Sequence, residues 1–167
     1  VRTVNVVDTG APSIALIGAS PLNHELNTAF TDPGATASDA ADGDLTGSLI
    51  ITGTVDPNTA ASYTLTYNVS DSQSNPAPTV TRTVIVADTT APVITLTGSS
   101  TVNVEQGTSY VKAGAMATDS VDGDISVNIV IAGDAINPNV AGSYEVTYNV
   151  SDAAGNQALQ VTRSVIV

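Results

Sequence analysis

The chain has 167 residues, a net charge of −12 and no cysteine. Its 16 acidic side chains face only four basic ones, so it lacks the clustered Lys and Arg that neutralise phosphates, which excludes nucleic acid as a partner and disfavours an anionic membrane surface. With no Trp, one Phe and five Tyr, the interior must be built from Val, Ile, Leu, Ala and the tyrosines, too thin a supply for one large core and an ordinary one for two small cores.

Residues 1–7, Val1-Arg2-Thr3-Val4-Asn5-Val6-Val7, read like Thr81-Arg82-Thr83-Val84-Ile85-Val86-Ala87 and like Thr162-Arg163-Ser164-Val165-Ile166-Val167. They are expected to form the last strand of a preceding repeat, with 8–87 and 88–167 as two full copies and the natural protein continuing on both sides. Between the full copies the match is explicit. Asp39-x-x-Asp42-Gly43-Asp44 recurs as Asp119-x-x-Asp122-Gly123-Asp124. Ser62-Tyr63-x-x-Thr66-Tyr67-Asn68-Val69-Ser70-Asp71 recurs as Ser143-Tyr144-x-x-Thr147-Tyr148-Asn149-Val150-Ser151-Asp152. From Asp39 to Asp119 the offset is 80 and from Tyr63 to Tyr144 it is 81, so one residue is inserted near Ile136.

Within each copy the apolar period is two. In Tyr63-Thr64-Leu65-Thr66-Tyr67-Asn68-Val69 every second residue is large and apolar, the pattern of a half-buried strand. In copy two, strands are expected over 93–97, 101–105, 110–118, 127–132, 143–151 and 158–167, with a short irregular piece between the fourth and fifth. Copy one should carry equivalents 80 or 81 residues earlier. Turns fall at Gly98, Gly107, Asp122-Gly123, Asn137-Pro138-Asn139 and Gly155-Asn156. No stretch has helical periodicity, and no apolar run is long enough to insert into a bilayer. Short antiparallel strands at this spacing indicate an all-β chain of two tandem Greek-key β-sandwiches. Tyr63 and Tyr144 open the long strand before the last one, as in the tyrosine corner of immunoglobulin-type domains. All four tyrosines of these strands lie on the apolar phase and are read as core, as are the equivalent Phe30 and Tyr110.

The run Asp88-Thr89-Thr90-Ala91-Pro92-Val93-Ile94-Thr95-Leu96, then Gly114 through Asp124, then Gly142-Ser143-Tyr144 through Gly155-Asn156, closing on Thr162-Arg163-Ser164-Val165, resembles the bacterial immunoglobulin-like surface domains. These are related to hyalin-type repeats and are also found appended to crystal toxins. The resemblance covers the chain twice. It implies an immunoglobulin-like sandwich serving as a spacer or adhesive module of a large extracellular or cell-surface protein. Its partners would be neighbouring repeats of the same chain. In copy one, Ser72-Gln73-Ser74-Asn75 replaces Ala-Ala-Gly-Asn, which puts that turn in doubt.

Alternating strand directions gather Asp88, Asp119, Asp122, Asp124 and Asp152 at one pole of copy two, and Asp8, Asp39, Asp42, Asp44 and Asp71 at the same pole of copy one. Two unit charges about 5 Å apart repel by roughly 3 kcal/mol at an effective dielectric of 20. Four cationic side chains cannot offset this, whereas Ca²⁺, which takes carboxylate and carbonyl oxygens, can. Asp-Gly-Asp suits such a loop, although the spacing is not that of an EF-hand. The competing reading is that these aspartates are turn formers. Rigidification of the junctions between repeats by Ca²⁺ follows from the first reading.

Nothing assembles a catalytic constellation. His24 is the single His, and no Cys or phosphate loop accompanies it, so the chain is read as non-enzymatic. Lys112, the one Lys, stands where copy one has Asp32. The alternative to a spacer is a module that binds polysaccharide or a host surface, which would usually show exposed aromatics.

Overall fold

The computed structural model describes residues 2–167 as two compact units divided between Ala87 and Asp88. In the first unit the strands are β1 (Ser13–Leu16), β2 (Leu22–Glu25), β3 (Ala35–Asp39), β4 (Gly43–Asp44), β5 (Ile50–Thr52), β6 (Ala61–Asn68) and β7 (Val80–Ala87). A single 3₁₀ turn, Thr46–Ser48, separates β4 from β5. One sheet has the order β1-β3-β4 and the other β2-β7-β6-β5. The second unit repeats the plan with β8 (Val93–Leu96), β9 (Thr101–Asn103), β10 (Ala115–Asp119), β11 (Gly123–Asp124), β12 (Val130–Gly133), β13 (Ser143–Asn149) and β14 (Val161–Ile166). Its sheets are β8-β10-β11 and β9-β14-β13-β12. These are two tandem immunoglobulin-like sandwiches, with open sheet edges and no closed barrel.

The period-two pattern sets which side chains face inward. On β6, Leu65 and Tyr67 are buried and pack with Val84 and Val86 of β7 and Ala35 of β3. On β13 and β14 the same roles fall to Val146, Tyr148 and Val165, against Ile94 and Ala117. Phe30 and Tyr110 pack against these cores. Both tyrosine corners form: Tyr63 donates to the Thr59 carbonyl at 2.9 Å, and Tyr144 to the Val140 carbonyl at 3.0 Å. Among the described residues all ladders are antiparallel except two. β2 runs parallel to β7, and β9 runs parallel to β14. The sequence pattern did not distinguish these pairs from the rest.

The strand expected over 110–118 begins only at Ala115. The cause is a buried guanidinium. Arg163 has no solvent exposure and donates to the carbonyls of Ala113 and Gly114 on one side. On the other it donates to those of Thr97 and Ser99, at 2.7 and 2.9 Å. Tyr148 adds its hydroxyl to the Ala113 carbonyl. Residues 110–114 thus turn their last carbonyls toward side chains, and a backbone bond there runs from the Thr97 N–H to the Gly114 carbonyl, at 3.0 Å. Arg82 does the same in the first unit, donating to the carbonyls of Ile17, Ala19 and Gly34 at 2.7–2.8 Å. The strand expected over 127–132 is likewise displaced, because Ser126–Asn128 forms a 3₁₀ turn and pairing starts at Val130.

The turn joining β6 to β7 keeps the geometry of its counterpart despite its different sequence. Ser74 adopts φ 67° where Gly155 adopts φ 94°. Each donates its N–H back to the aspartate three residues earlier, Ser74 to Asp71 and Gly155 to Asp152. Left-handed backbone strains a residue with a Cβ. Ser74→Gly is therefore expected to stabilise the first unit by about 0.5–1 kcal/mol, read from its urea midpoint.

The two arginines differ in one partner. Arg82 Nε lies 3.2 Å from Asp32, which also accepts the Tyr67 hydroxyl at 2.8 Å. Lys112 occupies the corresponding position in the second unit. Asp32→Ala is expected to destabilise the first unit by about 2–4 kcal/mol, because a buried charge loses its counterion. Lys112→Asp offers Arg163 a carboxylate and is expected to raise the melting temperature of the second unit. Differential scanning calorimetry of the two variants checks both effects.

Candidate metal centre

Strand β3 ends on Asp39 and β10 on Asp119, and each is followed by a tight loop through Asp42-Gly43-Asp44 or Asp122-Gly123-Asp124. The glycines take φ 77° and 73°, which lets the chain turn back into β4 and β11. In the first unit, one carboxylate oxygen from each of Asp8, Asp39 and Asp42 lies within 4.8 Å of the others. In the second unit the same holds for Asp88, Asp119 and Asp122. Each trio could coordinate a metal ion.

Hydrogen bonds fix these carboxylates from the rear. Asp39 Oδ1 accepts the N–H groups of Ala41 and Asp42, at 2.7 and 3.1 Å. Asp119 Oδ1 accepts those of Val121 and Asp122, at 2.7 and 3.0 Å. The N–H of Ala41, then that of Asp42, holds the Asp39 carboxyl below its ordinary pKa, and the N–H of Asp122 leads the same effect at Asp119. Asp42 is anchored to the turn after β6 by the Ser72 N–H at 2.7 Å, and Asp122 to the turn after β13 by the Ala153 N–H at 2.6 Å. Asp8 Oδ1 accepts the Gly10 N–H.

What remains is an oxygen in each trio that has neither water nor a donor. Asp8 Oδ2 and Asp119 Oδ2 are both shut from solvent and have no hydrogen-bond partner. The Asp119 residue as a whole is only 9% exposed. An ionised oxygen buried without a partner carries a large desolvation penalty, which a cation at the centre of the trio removes.

The other four aspartates singled out in the sequence are engaged elsewhere. Asp44 and Asp124 hold the chain just ahead of the 3₁₀ turns, accepting the N–H groups of Thr46 and Ser126 two residues on; the Ser126 hydroxyl approaches to 2.6 Å. Asp71 and Asp152 are 7% and 8% exposed and hold Asn75 and Asn156 through both backbone and side-chain amides. These two asparagines were read only as turn residues, yet each donates from its side chain to the backbone of the first aspartate of its trio. Asn75 reaches the Asp8 carbonyl at 3.3 Å and Asn156 the Asp88 carbonyl at 3.2 Å. The signal in the sequence was the spacing Asp71-x-x-x-Asn75, kept as Asp152-x-x-x-Asn156.

No exposed aromatic platform accompanies the trios among the described residues. Tyr67 and Tyr148 are fully buried, and a cleft of about 450 Å³ beside β12 is lined by Asn128, Val130, Asn149, Ser151 and Gln157 without an aromatic ring. No helix of the described chain is long and apolar enough to cross a membrane.

The chain is similar to several known proteins. The chain is 36% identical over 122 residues to an uncharacterised 81.3 kDa protein of Acholeplasma phage L2, covering 68% of this chain and 16% of that one. It is 30% identical over 128 residues to the pesticidal crystal protein Cry22Aa of Bacillus thuringiensis, covering 73% and 17% respectively. The chain thus spans about a sixth of the length of these relatives. Among solved structures, a lipoprotein of Bacteroides thetaiotaomicron aligns with a TM-score of 0.42 at 17% identity, covering 92% of this chain and 98% of that one. Fibronectin(III)-like modules of Clostridium thermocellum CbhA align with a TM-score of 0.37 at 14% identity, covering 92% and 93%. The family described as bacterial surface protein, Ig-like domain, matches residues 14–86 and again 94–167. The chain belongs to this family, as two consecutive copies of a non-catalytic extracellular or cell-surface module.

Proposed function

We propose that the chain is a spacer segment of a large adhesin-type surface protein, in which Ca²⁺ bound by Asp8, Asp39 and Asp42, and by Asp88, Asp119 and Asp122, stiffens the joints between repeats. The observation that carries this reading is the buried, unpartnered Asp119 Oδ2 within a trio of carboxylates. Three anionic oxygens suit a hard divalent ion, and backbone carbonyls or water would complete its shell. Asp88 directly follows β7, the last strand of the first unit. A cation that ties Asp88 to Asp119 and Asp122 therefore restrains the residue at which the first unit hands the chain to the second.

Residues 8–87 and 88–167 are read as complete modules, and residues 1–7 as the last strand of a preceding one. Val4 and Val6 are 79% and 93% exposed, whereas Val84 and Val86, their counterparts on β7, are 0% and 2% exposed. A preceding module would bury the two valines as β7 buries its own. No aromatic ring among the described residues is fully exposed, which favours the spacer over a polysaccharide-binding module.

Thermal melts in EDTA and in millimolar Ca²⁺ test the cation. Extracellular Ca²⁺ modules bind with Kd of about 10⁻⁴–10⁻³ M. At about 10 mM Ca²⁺, which is about 10–100 times Kd, the gain is about 1.4–2.7 kcal/mol per site, or about 6–20 °C in melting temperature for a unit of this size. Asp39→Ala and Asp119→Ala should each abolish the shift of their own unit. Asp44→Ala and Asp124→Ala should lower the starting temperature by loss of the bond to the Thr46 or Ser126 N–H and leave the Ca²⁺ shift in place. No shift in the unmodified chain would assign all ten aspartates to turn chemistry.

A further inference from the structure

Each unit joins the strand near its entry to the strand at its exit, side by side and parallel. Leu22–Glu25 of β2 pairs with Val84–Ala87 of β7, and Thr101–Asn103 of β9 pairs with Ser164–Ile166 of β14. The second pair is extended at both ends, by the Ser164 N–H donating to the Ser100 carbonyl at 2.8 Å and the Val104 N–H donating to the Ile166 carbonyl at 2.8 Å. Tension on a tandem module enters near its first strands and leaves at its last. Pulling the start of β9 against the end of β14 drives two parallel neighbours past each other along their common axis. Every rung between them is then stretched together. An antiparallel hairpin pulled from its open end gives way one rung at a time.

Two further features reinforce this patch. Val84 and Val165 are fully buried and Val86 nearly so, so water cannot readily enter to exchange for a stretched hydrogen bond. The buried arginines lie on these same exit strands and reach the carbonyls of the turns that lead into β2 and β9. Arg82 holds Ile17 and Ala19, and Arg163 holds Thr97 and Ser99. Each guanidinium thus bolts the exit strand to the entry turn with charge-assisted bonds, which are stronger than neutral ones.

We propose that each unit is a load-bearing element, and that its resistance to tension resides in the parallel β2–β7 or β9–β14 patch together with the buried arginine. The function is independent of the cation and goes beyond the spacer reading. It is tested in EDTA, so that its failure and the failure of Ca²⁺ binding are separate results.

The test is single-molecule pulling in two geometries. The chain has no cysteine, so introduced ones are unique handles. Pulled from its two ends, the chain should show two unfolding events, one for each unit. Handles at Gly142→Cys and Val167→Cys load the second unit differently. Those residues bond reciprocally, N–H to carbonyl, at 3.1 and 2.9 Å and close the open end of the β13–β14 hairpin, so force there peels β14 away. The second unit should unfold at clearly lower force when peeled than when pulled end to end. Val104→Pro, which removes the donor to Ile166, should lower one of the two end-to-end forces while the other serves as internal reference. Equal forces in the two geometries would overturn the proposal, as would an unchanged pair of forces in a folded Val104→Pro chain. If that variant does not fold, the comparison of geometries decides alone.

Discussion

Each unit is organised around one guanidinium that never meets solvent. Burying such a charge is costly unless every donor finds a partner, and Arg carries five N–H groups in a rigid fork. Arg82 meets this demand with Tyr67, Asp32 and three carbonyls from two separate stretches of chain. Satisfying the fork fixes the turn between β1 and β2, the approach to β3 and the inward tyrosine of β6 in one stroke. It also sets where β3 can begin, at Ala35, immediately after the Gly34 carbonyl it captures. Since β3 is only five residues long, the strand that starts at the arginine cradle ends on the first loop carboxylate, Asp39. The positions of the acidic trio and of the buried cation are thus linked by one short, stiff element.

Much of this was legible in the chain itself. The repeat, the period-two strands and the tyrosine corners all follow from residue spacing, and so does the grouping of Asp8, Asp39 and Asp42 near one pole. Arg82 was legible in principle, since it shares the inward phase of Val84 and Val86 on β7, but a charged residue is read by default as solvated. The missed strand starts near Phe30 and Tyr110 follow from that one oversight. Parallel pairing of β2 with β7 also escaped notice, because strand direction relative to a distant neighbour leaves no trace in local periodicity. Asp44 and Asp71 show a different limit. An aspartate engaged in a turn and one that keeps a buried oxygen without a donor have the same identity and nearly the same spacing. Only the coordinates show which oxygen has a donor.

The two copies act as each other's control. Ser72 and Ala153 supply the same bond to the same loop carboxylate, because the donor is a backbone N–H and the side chain above it can vary. Gly10 and Thr90 stand in the same relation to Asp8 and Asp88. By contrast, Asn75 and Asn156 use the side-chain amide itself, and that residue is the same in both copies. Asp32 and Lys112 show a third pattern. There the chemistry reverses sign, and the second unit leaves its arginine to carbonyl dipoles and a tyrosine hydroxyl. Variation between the copies is tolerated where the backbone does the bonding and where an interior charge has neutral partners in reserve.

The family match begins at residue 14 in one copy and at 94 in the other, whereas the first carboxylate of each trio is Asp8 or Asp88. A single domain excised at those limits would keep all but the end residues of its strands and two aspartates of three. It would fold and look intact by any spectroscopic measure of β-structure, yet it would have lost the oxygen contributed by the connecting segment. Cloning boundaries for any member of such an array therefore belong ahead of the Asp-Thr that precedes the first strand, because part of what looks like linker supplies one carboxylate of the acidic trio.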